Sequence, residues 1–486
     1  MSPVSHPQAG LTVPPPRETL MLFAFSYLMG LVMLMTAGIY DGPLAEPALG
    51  LVVVGLGLVV ALYGRALRRR AALRPARRWV LVVVVVALGV FTLATFADAR
   101  LLIHGLSAPR LIHVIEIAQL ALLATYVPSS LKGIPDLATW ASVRFACFAI
   151  MFLAGGISVI YLSPHPAVDV WEVHTAGARA LLHGLNPYDL ANVHVPDQST
   201  VGFPNIAFLY PPTPCYANTL AYGLGGDVRW GPLTALLTAG VAMRFIARRR
   251  AGERPSPMPS LLEDGPALLV WLTPKAYFFL EVSWNDAYPL AFASLTVLAH
   301  AFGRRFLSAF FLGLLLSAKQ TMIWFLPLGL LLGFTLAQWV VVFAAGAAAL
   351  APFVLWDFHA LKYWTVDHFL GYPPRPEALS PMTWLSRHFG IRQGSTPPGF
   401  ILAAVTSVAA AWRAPRTRYA FALAATLACF SFYLFNRFMC MNYYFFATGL
   451  AALAAAASVG ESKTDAQGHA SEADRASEEE SRVESP

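Results

Sequence analysis

The chain has 486 residues, of which 57% are hydrophobic and 13% charged, with a mean hydropathy of +0.57. Soluble domains carry about 25% charged residues, so a soluble globular protein is excluded, and at about 20 apolar residues per crossing the chain reads as a polytopic membrane protein. The formal charge of +7 is no sign of nucleic acid, because the arginines cluster between apolar runs, where they act as topology signals.

Residues 1–18 are Pro-rich and polar, without a basic segment ahead of a small-residue cleavage site, and read as a cytoplasmic tail rather than a signal peptide. Apolar runs at 20–40, 48–64, 79–97 and 110–128 define an N-terminal membrane region, residues 19–128. A core over residues 129–458 adds runs at 144–163, 230–247, 266–282, 286–303, 306–318, 320–335, 337–355, 399–413, 419–436 and 440–458. The two runs flanking Lys319 are short for independent crossings and predict a half-depth hairpin, so the expectation is an all-α fold of about 12–14 transmembrane helices. Residues 459–486 are acidic, poor in aliphatic side chains, and read as a disordered cytoplasmic tail. The four cysteines show no spacing of a disulfide framework or metal motif.

Lys and Arg in short loops stay cytoplasmic. Alternating the spans from a cytoplasmic N-terminus puts the arginines of 65–78, 248–250, 304–305 and 413–418 inside, together with the C-terminus. The long polar segments 164–229 and 356–398 then fall outside. An ionisable side chain at a helix centre costs about 2.5–3.5 kcal/mol on insertion scales, which makes each one a functional candidate. Glu116, Lys275, Asp286, Lys319 and Arg437 all fall toward the outer side, which predicts a polar cavity open to that side. Snorkelling is the competing account for Asp286 and Arg437.

The outer loop is the most informative segment. Within VDVWEVHTAGARALLHGLNPYD, residues 168–189, Val170, Val173, Ala176, Gly177, Ala180 and Leu181 repeat at helical spacing and predict a surface helix over 170–183. Gly184 ends it, Asn186-Pro187 continues the turn, and Tyr210-Pro211-Pro212 leads in extended form to the next apolar stretch. Asp169 with Glu172 reads equally as an acidic capping box and as a reactive carboxylate.

An Asp just after a span, a helix with small residues, ALLHGLNPYD and then YPP before an apolar run resemble the integral-membrane GT-C glycosyltransferases, in particular the bacterial alpha-mannosyltransferase-like branch that uses polyprenyl-phosphate sugars. SWNDAYPLAFASL at 283–295 is similar to that branch's Asn segment, and LLLSAKQTMIWFLPLGLLLG at 314–333 to its Lys-containing span pair. The resemblance covers roughly residues 144–458. About four spans precede the Asp loop where the family more often has one, so residues 20–128 look like an added module. The resemblance implies an inverting transfer of a sugar, mannose by preference, from a polyprenyl-phosphate carrier to a glycolipid, polysaccharide or protein acceptor. It places this at the outer face of the plasma (inner) membrane. The sequence has no Asp-x-Asp pair near the loop, no Gly-rich phosphate cradle and no clustered His and Cys ligands, so a reaction without metal or other cofactor is the expectation.

By position, the resemblance makes Asp169 the general base. Lys319, Lys275 and, less directly, Arg437 are the cations for the leaving phosphate. Glu172 is a second acid or the partner of the cap; His174 bonds substrate or sits at the interface. Tyr188 and Asp189 bind sugar hydroxyls or simply form a turn, and Asn285 and Asp286 reach the acceptor or cap a helix. Tyr210 and Gln320 belong with the binding residues through the matching strings. Two rivals stand beside the enzyme: a transporter or lipid flippase, and an inactive relative serving as an assembly subunit. Transporters place polar groups near the midplane in both halves of the chain, whereas here they gather toward one face.

Overall fold

The computed structural model describes residues 17–36, 42–67, 79–97, 110–127, 138–166, 168–189, 206–249, 260–273, 275–371, 378–390, 397–436 and 439–461. A long apolar run in hydrocarbon must close its own backbone hydrogen bonds, and a helix does so within one segment. Helices α1 (Arg17–Thr36), α2 (Ala45–Leu67), α3 (Trp79–Ala97) and α4 (Arg110–Ala124) take up the four N-terminal runs. Next come α5 (Ala138–Leu162), α6 (Asp169–Leu182), α7 (Pro212–Gly225), α8 (Trp230–Arg248), α9 (Ser260–Trp271), α10 (Ala276–Glu281), α11 (Ala287–Ala301) and α12 (Arg305–Leu316). A short rod, Gln320–Leu332, alternates 3-10 turns with α13 (Phe325–Leu328). It leads to α14 (Leu336–Lys362), a π turn (Tyr363–Asp367) and α15 (His368–Gly371). The chain closes with α16 (Pro381–Phe389), α17 (Pro397–Arg413), α18 (Arg418–Leu434) and α19 (Met441–Glu461).

Among the described residues six helices are long and apolar enough to cross a membrane: α1, α2, α5, α8, α14 with its extension, and α19. Shorter apolar helices accompany them, and large side chains such as Val54, Leu336, Leu355 and Val405 stand exposed on the outer faces. Apolar surface of that extent has no place in water; the chain is an all-helical, membrane-embedded protein. α19 is the axis of the bundle. Nearly all of it is buried, and its alanines let neighbours approach closely, with Thr19 of α1 bonding Ser458 at 2.6 Å and Phe279 of α10 stacked on Phe445 at 4.3 Å. α1 and α2 share this core: Phe25 meets Phe430 at 5.2 Å and Tyr63 Oη donates to the Thr406 carbonyl at 2.5 Å.

Several boundaries differ from the sequence expectation. The run 266–282 is not one span: α9 starts earlier, carries Pro266, and stops at Trp271 before a break in which Lys275 is left-handed (φ 68°). The pair around Lys319 does form two short elements, α12 and the rod, parted at residues 317–319, where Lys319 is extended. α14 begins with a capping box, Gln338 N to Thr335 Oγ1 at 3.4 Å and Thr335 N to Gln338 Oε1 at 3.0 Å. It runs past the expected end at 355, kinked at Asp357 (φ −158°, ψ 93°), whose Oδ1 accepts from Ala360 N at 2.9 Å. The C-terminal boundary also moves, because α19 reaches Glu461, whose Oε1 accepts from Arg418 Nε at 3.3 Å and Tyr419 N at 3.1 Å.

Candidate functional site

The rod after α12 positions the central cation. Ser317 and Ala318 end α12, and Lys319 is extended (φ −156°, ψ 143°) as the residue before the first 3-10 turn. Its Nζ donates to Asp286 Oδ1 at 2.5 Å. Asp286 Oδ2 in turn accepts from Asn442 Nδ2 at 2.8 Å. The ammonium lies 4.6 Å from the centre of the Tyr443 ring and 5.8 Å from that of Tyr433, two rings stacked on each other at 4.1 Å. All three members of the Lys319–Asp286–Asn442 chain are buried. A buried pair of this kind survives only when its remaining polar valences are met, and Asn442 and the aromatic faces meet several of them.

Lys319 is also a wall residue of a cavity of about 680 Å³ between the rod, the kinked end of α14, α17 and α18. Most of the wall is apolar or aromatic, including Trp324, Val354, Phe358, Phe369, Phe400 and Phe432. Its polar groups include Lys319, Gln320, Thr321, Lys362, Tyr433 and Asn436. Gln320 Nε2 donates to the Leu209 carbonyl at 2.9 Å, and Thr321 Oγ1 and Tyr433 Oη share a hydrogen bond at 2.9 Å. Lys362 is held by Asp367 at 2.6 Å across the π turn. The chamber is therefore amphiphilic, a greasy volume with a cation and several hydrogen-bonding groups in its wall. That composition suits a small or medium ligand with an apolar body and an anionic head.

The loop residues sit elsewhere. The α6 cap is Val168, which makes no side-chain cap bond. Asp169 is the first helical residue, and its Oδ1 accepts from Val170 N at 2.8 Å. This corrects the capping box: the helix starts one residue earlier than the apolar spacing indicates, so Asp169 and Glu172 both lie inside its first turn, where carboxylates favour the positive end of the dipole. Asp169 is half-buried and is not a lining residue of the cavity; nor is Lys275, whose ammonium lies 5.9 Å from the Phe278 ring.

His174, one turn further along α6, is fully buried. Its Nδ1 meets Ser283 Oγ at 3.3 Å, and its ring lies 5.1 Å from Tyr210 and 5.8 Å from Phe208. Burial pushes its imidazole down to about 3, the Ser283 contact opposing this, so it is neutral. Ser283 has a left-handed backbone (φ 58°), a conformation that costs energy for a residue with a Cβ and gathers at functional sites. Tyr188 is a packing residue: fully buried against Phe208 and Phe353, its hydroxyl donating to the Tyr210 carbonyl at 2.6 Å. Its amide donates to Asn186 Oδ1 at 3.0 Å, and Asp189, in the same turn, is exposed.

The structure thus gathers Asn285, Asp286, Lys319 and Gln320 in one neighbourhood, with Asn285 Nδ2 donating to the Ala318 carbonyl at 3.2 Å. Tyr210 precedes the cavity residue Pro211 and touches His174, which ties α6 to this wall. Asp286 neither snorkels nor caps: it makes no side-chain cap bond to α11. Arg437 lies outside the described residues. Sequence reasoning missed Asn442, Tyr443, Tyr433, Thr321 and Ser283; the first two stand in the string NRFMCMNYYF, where only the arginine drew notice. The chain matches no family model, no curated protein and no solved structure.

Proposed function

We propose that the protein is a membrane-bound glycosyltransferase of GT-C type, moving a sugar, mannose by resemblance, from a polyprenyl-phosphate carrier to an acceptor at the extracytoplasmic face of the plasma membrane. Both termini are then cytoplasmic and the donor arrives from the bilayer. The observation that carries this is the amphiphilic cavity with Lys319 and Gln320 in its wall. An apolar chain there is shielded from water, and a preorganised cation stands where phosphate collects charge as it leaves.

In the proposed step the acceptor oxygen attacks the anomeric carbon, its proton passes to Asp169, and the bond from that carbon to the phosphate oxygen breaks. The lipid phosphate keeps the electron pair, and the anomeric configuration inverts. Asp169 has one oxygen engaged by Val170 N, which leaves Oδ2 for the acceptor. The donor phosphate is thus assigned to the Lys319 wall, with its sugar reaching past Tyr210 toward the start of α6, where the acceptor meets Asp169. His174 and Tyr210, ring against ring at 5.1 Å, link the two regions.

The test is turnover of a polyprenyl-phosphate sugar by the purified chain in detergent or vesicles. Asp169→Asn is expected to lose about 10²–10⁴-fold in kcat, the usual scale of general base catalysis, and Lys319→Ala to lose turnover even below its lowered melting temperature. An active Asp169→Asn variant removes Asp169 as base. Wild type without turnover, yet moving a labelled lipid phosphate between leaflets, replaces the enzyme by a flippase.

A further inference from the structure

Resting on the lipid-phosphate assignment above, we infer that Asp286 is a positioning residue that weakens the hold of Lys319 on phosphate and so governs release of the lipid-phosphate product. The two partners of the ion pair are placed asymmetrically. Lys319 belongs to the cavity wall, whereas Asp286 and Asn442 do not. The carboxylate, 2.5 Å from Nζ and held by the Asn442 amide at 2.8 Å, thus belongs to the layer outside the wall that contains Lys319. A phosphate in the cavity meets Nζ from the other side and shares its charge with Asp286. The shared cation is further diluted over the Tyr443 ring at 4.6 Å.

The charge of the ligand changes during the proposed reaction. The donor is a phosphodiester with one negative charge. The product is a phosphomonoester, whose second ionisation near pH 6 gives it about −1.5 to −2 at neutral pH. A lone lysine in an apolar wall holds the product more tightly than the donor and stalls the next cycle. A fixed carboxylate behind the lysine repels the more highly charged product more than the donor, which restores exchange. It also spares the empty cavity an unpaired ammonium, which is costly beside hydrocarbon.

The experiment measures binding of dodecyl phosphate, inorganic phosphate and dodecanol to the purified full chain in detergent, by calorimetry and by ligand-induced thermal stabilisation. Asp286→Asn is expected to bind dodecyl phosphate roughly tenfold tighter, the size of one like charge removed at an intermediate dielectric. In turnover assays it should show a lower kcat without a higher KM for donor, with stronger inhibition by dodecyl phosphate. Asn442→Leu keeps both charges but frees Asp286 to bear wholly on Lys319, so it should bind dodecyl phosphate several-fold more weakly; it serves equally if Asp286→Asn fails to fold. Unchanged or weaker binding by Asp286→Asn, or unchanged binding by Asn442→Leu, overturns the inference while leaving the phosphate site standing if Lys319→Met still abolishes binding. Inorganic phosphate binding as tightly as dodecyl phosphate overturns the lipid source, and no binding of either by wild type overturns the phosphate assignment itself.

Discussion

The side chain on which most depends is Lys319, buried with a carboxylate on one side and an apolar chamber on the other. Removing one member of a buried ion pair leaves an unpaired charge and costs about 3–5 kcal/mol, whereas removing both often costs little. Lys319→Met should therefore lower the unfolding midpoint markedly, and the double variant Lys319→Met/Asp286→Asn should recover most of the loss; a double-mutant cycle checks this, and additive losses would contradict the coupling. His174 supplies a pH effect. Its pKa is near 3 in the fold and about 6.5 when exposed, so between those values the unfolded chain binds the extra proton. Stability is then complete above about pH 6.5 and falls as the pH drops toward 3. His174→Phe should flatten that slope in thermal unfolding between pH 4 and 7; an unchanged slope would mean that His174 does not supply it.

Among the elements, the contact between α12 and α14 brings backbone against backbone. A Cβ on Gly313 would stand 2.3 Å from the Val342 carbonyl and 2.7 Å from Ala345 Cβ. Such close backbone approach is what small residues permit in membrane helices. Gly313→Val should force these helices apart, lower thermal stability by a few kcal/mol in the manner of overpacked cores, and misplace Lys319 six residues further on. Wild-type melting and wild-type donor KM in that variant would show the crossing to be tolerant. The break at Asp357 has a different character: its carboxylate restarts the helix by accepting from Ala360 N, which turns residues 358–370 across the cavity wall. α9 and α10 are likewise two pieces, divided at the left-handed Lys275.

For the molecule as a whole, the central position of α19 sets what can be trimmed. Glu461 bonds the first turn of α18 through Arg418 and Tyr419, so truncation after Glu461 should leave turnover and melting unchanged. Truncation after Val459, which removes that contact, should lower the melting temperature; equal stability of the two truncations would show the contact to be idle. The proposed orientation is tested by cysteine substitutions at positions 190–200, which should react with impermeant reagents only from the extracytoplasmic side. Reaction from the cytoplasm alone would invert the topology and leave the donor assignment without a route to its carrier.

Composition and apolar run length by themselves determined that this is an all-helical membrane protein, because hydrocarbon allows a lone segment no other way to satisfy its backbone. They also located the short pair around Lys319 and singled out Lys319 as an ionisable residue between two apolar runs. Local pattern reached no further than its own turn. It misjudged the α6 cap by one residue, because propensity does not fix where the first amide pairs, and it joined α9 and α10, because mean hydropathy is blind to a left-handed break. Only the tertiary structure decided that Asp286 and Asn442 meet at Lys319, since Asp286 lies 33 residues from Lys319 and 156 from Asn442. It likewise decided that Tyr188 is a packing residue and that Asp169 stands apart from the cavity wall. Those outcomes depend on which helices lie side by side, and the packing of small residues at their crossings, which no single segment encodes, settles that choice.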